Sequence, residues 1–268
     1  MTVRSQGVND ASSTLALLLE TVAAIRIALY EVDDWGHAGA GAQHPGQHHS
    51  DIAADRAALD VLLPAGMGVL SEESGRHQPD AEVTVVIDPL DGSTNAARGL
   101  PWYAASLCAV DAAGPLAAAV VNLASGERFT ATRGGGAHLD GEPIAPTATT
   151  DLADAIVGLS GYPAAHLGWR QYRAWGAGAL DLCSVACGRL DAYLDVSEGH
   201  HGPWDYLAAA LVCTEAGAAV GDVVGRDLVV LDHDARRAPV AAATPALYDA
   251  LLTARRRAGT GSPYEGPP

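Results

Sequence analysis

The stretch Val83-Thr84-Val85-Val86-Ile87-Asp88-Pro89-Leu90-Asp91-Gly92-Ser93-Thr94-Asn95 decides how this 268-residue chain is read. Val83 to Ile87 is a β-branched, apolar run of strand length, so it reads as a buried strand that delivers Asp88 at its C-terminal end. In layered α/β folds that end is where ligands bind. Gly92 permits a tight turn and a close backbone approach, and the chain then enters a short helix at Ser93-Thr94-Asn95. The first N–H groups of that helix have no helical partner and suit incoming phosphate oxygens.

Working outward, the spacing predicts a second buried strand over Gly68 to Leu70 that leads into Glu72-Glu73. Asp55 falls in the first turns of a helix expected to start near Asp51 with Ser50 as N-cap. Far along the chain, Gly202-Pro203-Trp204-Asp205 opens another helix, Pro203 to Ala216, with Pro in the first turn and Asp205 favoured by the helix dipole while facing outward. Six carboxylates, Asp55, Glu72, Glu73, Asp88, Asp91 and Asp205, thus stand at strand ends and helix starts. Brought together they raise one another's pKa, and keeping them ionised calls for a cation. Hard oxygen donors without Cys or His in these motifs favour Mg²⁺, which typically shares carboxylates with water and a substrate phosphate. The residues read as a metal-dependent phosphate enzyme.

The remaining pattern describes a layered α/β chain. A long amphipathic helix is expected over Thr14 to Val32, followed by a Gly- and His-rich loop from Trp35 to Ser50 that holds His37, His44, His48 and His49. Strands at Ala104 to Val110, Leu116 to Asn122 and Arg128 to Thr132 read as antiparallel hairpins. From about Asp154 the reading alternates: strand Ile156 to Leu159, helix Leu180 to Ala186, strand Ala192 to Leu194, helix Pro203 to Ala216, strands near Leu228 to Leu231 and Val240 to Ala243, and helix Pro245 to Arg255. This divides the chain into an N-terminal half, 1–150, that carries most of the motifs, a C-terminal half, 151–257, that completes the site, and a Gly/Ser/Pro-rich tail, 258–268, expected to be disordered.

Composition narrows the partners. A hydrophobic content of 49% allows a large core, and a net charge of −16 excludes the basic footprint that tight nucleic-acid or anionic-membrane binding needs. All 16 basic residues are Arg, so a phosphate has few side-chain cations to meet and must be attracted by metal. The polar start, Met1 to Ser13, lacks a leader pattern, and no apolar run is expected to reach membrane-spanning length, which points to the cytoplasm. The four Cys residues sit in apolar stretches and read as reduced, buried thiols.

Singly, an Asp-Gly is a turn, a Glu-Glu a solvated face, and a Trp-Asp a capped helix start. Their order along one chain is what carries information. The segment Val83 to Asn95 resembles the signature of the inositol monophosphatase-like phosphatases. It is joined in the family's order by Ala54-Asp55-Arg56, Ser71-Glu72-Glu73-Ser74-Gly75, Gly134-Gly135-Gly136-Ala137 with Asp140-Gly141, Leu180-Asp181-Leu182-Cys183, Gly188 to Tyr193, and Trp204-Asp205 with Glu215-Ala216-Gly217. The resemblance spans Leu15 to Leu252 and implies an αβαβα sandwich that hydrolyses a phosphomonoester with Mg²⁺ and an activated water. It implies that Glu72, Asp88 and the carbonyl of Leu90 hold one Mg²⁺, that Asp88, Asp91 and Asp205 hold a second, and that Glu73 lies near a weaker third. It also pairs Asp55 with Ser93 to orient or deprotonate the attacking water, and it implies a homodimer.

Asp91, Gly92, Ser93, Thr94 and Asp205 would meet the phosphate end of the substrate. Gly176, Ala177 and Gly178 match small residues lining the substrate cleft, and Asp195 matches an acidic residue that accepts hydroxyl hydrogen bonds from inositol. An acidic, small-residue cleft suits a polyol phosphate. Inositol monophosphate is the first expectation, histidinol phosphate or another sugar or nucleotide phosphate the alternative, and a noncatalytic metal- or phosphate-sensing regulator the alternative of another class. His200 and His201 read as solvated loop residues.

Overall fold

The computed structural model describes residues 10–33, 35, 48–197 and 199–258. The first helix, α1 (Ala11–Tyr30), is opened by Asp10, whose Oδ1 accepts the N–H groups of Ser12 and Ser13. The second, α2 (His49–Leu62), starts ahead of the expected Asp51. Its entry is fixed by Asp51 rather than Ser50: Asp51 Oδ2 reaches back to the N–H of His48 at 2.8 Å. His48 and His49 therefore belong to a helix start, while His37, His44 and the rest of the expected loop over 36–47 lie outside the described residues.

Contrary to the sequence expectation, α1 is long and apolar enough to cross a membrane by length and composition. In this fold its stripe of Leu18, Val22, Ile25 and Leu29 packs on Ala54, Ala58 and Leu62 of α2 and on the neighbouring sheet.

That sheet has eight strands: β1 (Gly68–Ser71), β2 (Gly75–His77), β3 (Thr84–Asp91), β4 (Ala104–Asp111), β5 (Gly114–Asn122), β6 (Arg128–Thr132), β7 (Gly136–Leu139) and β8 (Glu142–Pro143). Their order is β2-β1-β3-β4-β5-β6-β7-β8, antiparallel throughout except for the parallel pair β1–β3. A short helix, α3 (Ser93–Ala97), follows β3. The second sheet has five strands, β9 (Ile156–Ser160), β10 (Gln171–Arg173), β11 (Ala192–Asp195), β12 (Ala219–Asp222) and β13 (Pro239–Ala242), in the order β10-β9-β11-β13-β12. Helices α4 (Gly178–Ala186), α5 (Pro203–Ala216) and α6 (Pro245–Ala258) complete the chain, and the tail beyond 258 lies outside the described residues.

The buried clusters define the stacking. One face of the large sheet (Val85, Ile87, Leu107, Ala119, Val121) meets α1 and α2. Its other face (Val86, Cys108, Ala118, Val120, Phe129) meets α4 and α5, which also touch Tyr193 and Ala241 of the small sheet. The far face of the small sheet (Val157, Leu194, Val240, Ala242) closes on Leu247 and Leu251 of α6. This is a five-layer αβαβα sandwich.

The apolar run Leu228 to Leu231 is not a strand. Its side chains Leu228 and Leu231 pack on the central cluster, while its carbonyls accept side-chain donors, Tyr206 Oη to Leu228 O and Arg76 Nη1 to Leu231 O, in place of a ladder. The missing strand is β12, which pairs with β13 directly after Gly217 turns the chain back at φ 92°. All four Cys residues are free thiols, three of them buried.

Candidate active site

Asp88 and Asp91 are three residues apart, and a regular strand would point them to opposite faces. The ladder between β3 and β4 prevents this: Asp88 pairs with Ser106 but Asp91 pairs with Ala104, so β3 carries one extra residue at Pro89-Leu90. The bulge re-aims the second carboxylate and tolerates a proline without an N–H. Leu90 sits on it, its N–H bonded to Asp88 Oδ1 at 2.9 Å. Beside this strand, the parallel register of β1 matches Ser71 with Ile87, and the Glu72 N–H continues it to Ile87 O at 3.1 Å. Glu72 is thereby carried alongside Asp88.

Asp205 arrives from α5. The Ser106 hydroxyl, opposite Asp88 in the ladder, donates to Trp204 O at 2.9 Å and fixes the start of that helix over the strand. Asp205 Oδ2 also accepts the Gly202 N–H at 2.7 Å. Single oxygens of Glu72, Asp88 and Asp205 all lie within 4.8 Å of one another. Burial, then the charges of the neighbouring carboxylates, pushes Glu72 and Asp88 well above the usual carboxylate range. Asp91 stands outside this trio, with Oδ2 accepting the Ala179 N–H at 2.8 Å at the start of α4. Burial and the Asp205 charge push it up to about 7 in spite of the backbone donors. The donors are crowded oxygens alone, which fits a hard divalent cation.

Glu73 lies next to Glu72, and its charge adds to the upward shift there. Asp55 is buried on α2, and its Oδ1 accepts from the Ser71 hydroxyl rather than from Ser93. Ser71 Oγ in turn accepts the Glu73 N–H at 3.1 Å, so one buried hydroxyl sets both the acid and the turn that presents Glu72. Ser71 stands in the acidic motif named from the sequence, but nothing local in the sequence shows this role.

Gly92 is left-handed, φ 85°, and a Cβ there would come 3.1 Å from Ala177 Cβ and 3.1 Å from Trp102 O. It is followed by Ser93 and Thr94 at the start of α3. Asn95 Nδ2 donates to Trp102 O and Trp175 O at 2.8 and 2.7 Å, which brings Gly176 and Ala177 against the Asp91-Gly92 turn. Trp102 Nε1 bonds Asp181 Oδ1 at 2.8 Å, and burial pushes that acid up to about 8.

Two expectations change at the far wall. Asp195 is fully buried, and its Oδ1 accepts both the N–H and the hydroxyl of Ser197, so it does not line an open cleft. His201 is not a solvated loop residue. Its Nδ1 lies 3.3 Å from Asp205 Oδ2, and its Nε2 lies 3.1 Å from Ser160 Oγ and 3.9 Å from Asp195 Oδ2. Burial opposes its charge, but the hydrogen bond to Asp205 and the surrounding carboxylates outweigh that and raise it to about 9. A second histidine, His233, packs at a tilt against Trp204 with ring centroids 4.7 Å apart, and its Nε2 approaches Glu72 O at 3.2 Å.

The sequence profile described as the Inositol monophosphatase family matches residues 51–260. The chain belongs to the inositol monophosphatase family. It is 34% identical over 280 residues to an inositol-1-monophosphatase of Mycobacterium leprae, covering 90% of this chain and 91% of that one. It is 32% identical to the protein named Nus factor SuhB of Escherichia coli, covering 77% and 80%. Among solved structures, a Pyrococcus horikoshii protein described as similar to inositol-1 monophosphatase superposes with a TM-score of 0.81 over 91% of this chain and 99% of that one, at 24% identity. In this inositol monophosphatase-family chain the carboxylate trio comes from the turn after β1, from β3 and from α5, so the candidate metal site lies where layers meet.

Proposed function

We propose that this chain is a Mg²⁺-dependent phosphomonoesterase acting on a small polyol phosphate, with inositol monophosphate as the first substrate to test. The observation that carries the reading is the convergence of Glu72, Asp88 and Asp205 within 4.8 Å. Glu72, Asp88 and Asp205, with Asp91 and the Leu90 carbonyl beside them, would hold the ions. When bound, divalent cations lower the pKa of a coordinated water toward neutrality and offset the charge of the phosphate.

The chain's own groups supply the rest. Asp55 accepts the proton of the attacking water on Oδ2, which has no hydrogen-bond partner among the described residues, while Ser71 holds Oδ1. As the water oxygen bonds to phosphorus, the phosphorus–alcohol oxygen bond breaks, the leaving alkoxide takes up a proton from solvent water, and Asp55 later returns its proton to solvent. The first N–H groups of α3, after Gly92, receive phosphate oxygens, with the Ser93 and Thr94 hydroxyls alongside. Gly176, exposed beside the Asp91-Gly92 turn, leaves room for the alcohol, whereas Ala177 is fully buried and does not line the cleft as expected.

The test is phosphate release from inositol monophosphate, histidinol phosphate, fructose 1,6-bisphosphate and adenosine 3′,5′-bisphosphate, each with Mg²⁺ and with chelator. Chelator-sensitive release from a polyol phosphate supports the reading; release that chelator leaves unchanged rejects it. The name of the E. coli relative, Nus factor SuhB, favours a second reading, a regulator of protein partners built on the same cage. Asp91→Asn separates the two, because it abolishes turnover in an enzyme and has no turnover to abolish in a regulator. A cytoplasmic homodimer without nucleic-acid or membrane contacts completes the proposal, and sedimentation at several concentrations tests the dimer.

A further inference from the structure

His201 is held from several directions. Its backbone bridges Arg237, whose N–H donates to His201 O at 2.9 Å. Its ring touches Ser160 at the end of β9, Tyr193 on β11 and Asp205 on α5. It also lies against α4: a Cβ on Gly178 would meet His201 Cε1 at 3.4 Å. The imidazole thus occupies the space beside Gly178 that a small residue had been expected to leave for substrate. Behind it, Asp195 Oδ2 is a buried carboxylate oxygen with no hydrogen-bond partner among the described residues. A buried acceptor left without a donor is expensive, and the polar group that faces it is His201 Nε2 at 3.9 Å.

We propose that His201 is a positioning residue for the metal centre, anchored on the buried Asp195 and holding Asp205 Oδ2 so that the other oxygen of Asp205 serves the cage. The arrangement parallels the outer-shell partners that orient metal ligands elsewhere. It also moves Asp195 from the substrate to the scaffold: the alcohol half of the substrate meets the wall of an imidazole ring whose two nitrogens are already engaged, not a hydroxyl-accepting carboxylate.

The inference rests on the reading of the cage as a cation site, so it is tested first without substrate, by calorimetric titration of the full chain with Mn²⁺. Relative to wild type, His201→Ala is expected to weaken Mn²⁺ binding by about 10- to 100-fold. His201→Asn, whose amide nitrogen can take the place of Nδ1, should recover most of the loss, and Asp195→Asn should give an intermediate loss with an unaltered KM for inositol monophosphate once Mn²⁺ saturates. Wild-type affinity in His201→Ala, accompanied only by a lower Tm, overturns the proposal and leaves a structural role. An increased KM for Asp195→Asn with unchanged Mn²⁺ affinity also overturns it, by returning Asp195 to the substrate. If His201→Ala does not fold, the Asn variants decide by the same readouts. Absence of Mn²⁺ binding by wild type is a different result, which removes the cation reading itself and this inference with it.

Discussion

Asp88 illustrates how a single residue can be set against the stability of its own fold. Burial and the neighbouring carboxylates raise its folded pKa well above the ordinary value, so without a cation the carboxyl costs the native state stability as pH rises above its unfolded pKa. Asp88→Asn keeps the shape and removes the charge. We expect it to reduce turnover to background while raising the Tm of the chelated protein by about 2–8 °C, the equivalent of roughly 1–2 kcal/mol in a chain of this size. Calorimetry in chelator reads that gain, and an unchanged or lower Tm would contradict the electrostatic account. Gly92 makes the opposite case. At φ 85°, with Ala177 Cβ and Trp102 O each 3.1 Å from an added Cβ, Gly92→Ala combines left-handed strain with crowding. A loss of about 1–3 kcal/mol is expected from the backbone alone, measured as a lower urea midpoint.

Elements show where sequence is informative and where it is silent. Helix Pro203–Ala216 was legible to the residue because Gly-Pro opens it and a left-handed Gly217 closes it. Strand β3 was legible as a run of β-branched residues, but not its continuation through Asp91, since the bulge depends on pairing with β4 rather than on local preference. Strand β12, Ala-Val-Gly-Asp, has weak strand propensity and exists because β13 pairs with it, whereas Leu228 to Leu231 has the propensity and no partner strand. The candidate site followed the same logic. Acidic motifs could be named from their order, but the Asp55–Ser71 bond, the burial of Asp195 and the place of His201 depend on contacts between distant segments. One inter-element tie can be tested directly. Glu215 on α5 accepts the N–H groups of Gly134 and Gly136 at 2.8 and 3.0 Å, locking the helix to the turn before β7. Glu215→Ala should lower stability by about 1–3 kcal/mol with kcat retained, and equal urea midpoints for variant and wild type would refute the tie.

Across the whole molecule, pH and metal should act on stability together. Asp91 and Asp181 have folded pKa values raised to about 7 and about 8, above the ordinary aspartate value of 3.8, so the folded chain binds protons more tightly than the unfolded one. Their stabilising protonation is complete in acid and is lost as pH rises through those values. The chelated protein should therefore melt higher at pH 6 than at pH 8.5, and saturating Mg²⁺ should raise Tm more at pH 8.5 than at pH 6. A Tm that rises with pH in chelator would reverse the sign of this account.

The order of layers has one more consequence, which concerns synthesis. The inner face of the large sheet, Val86, Cys108, Ala118, Val120 and Phe129, packs against α4 and α5. Those helices end at Ala216, well after β6 ends at Thr132. At ~5–20 residues per second, the nascent chain carries a bare apolar sheet for on the order of ten seconds before its cover leaves the ribosome. A stall between the sheets would prolong that exposure and make the nascent chain a client for holdase chaperones, whatever the stability of the finished enzyme.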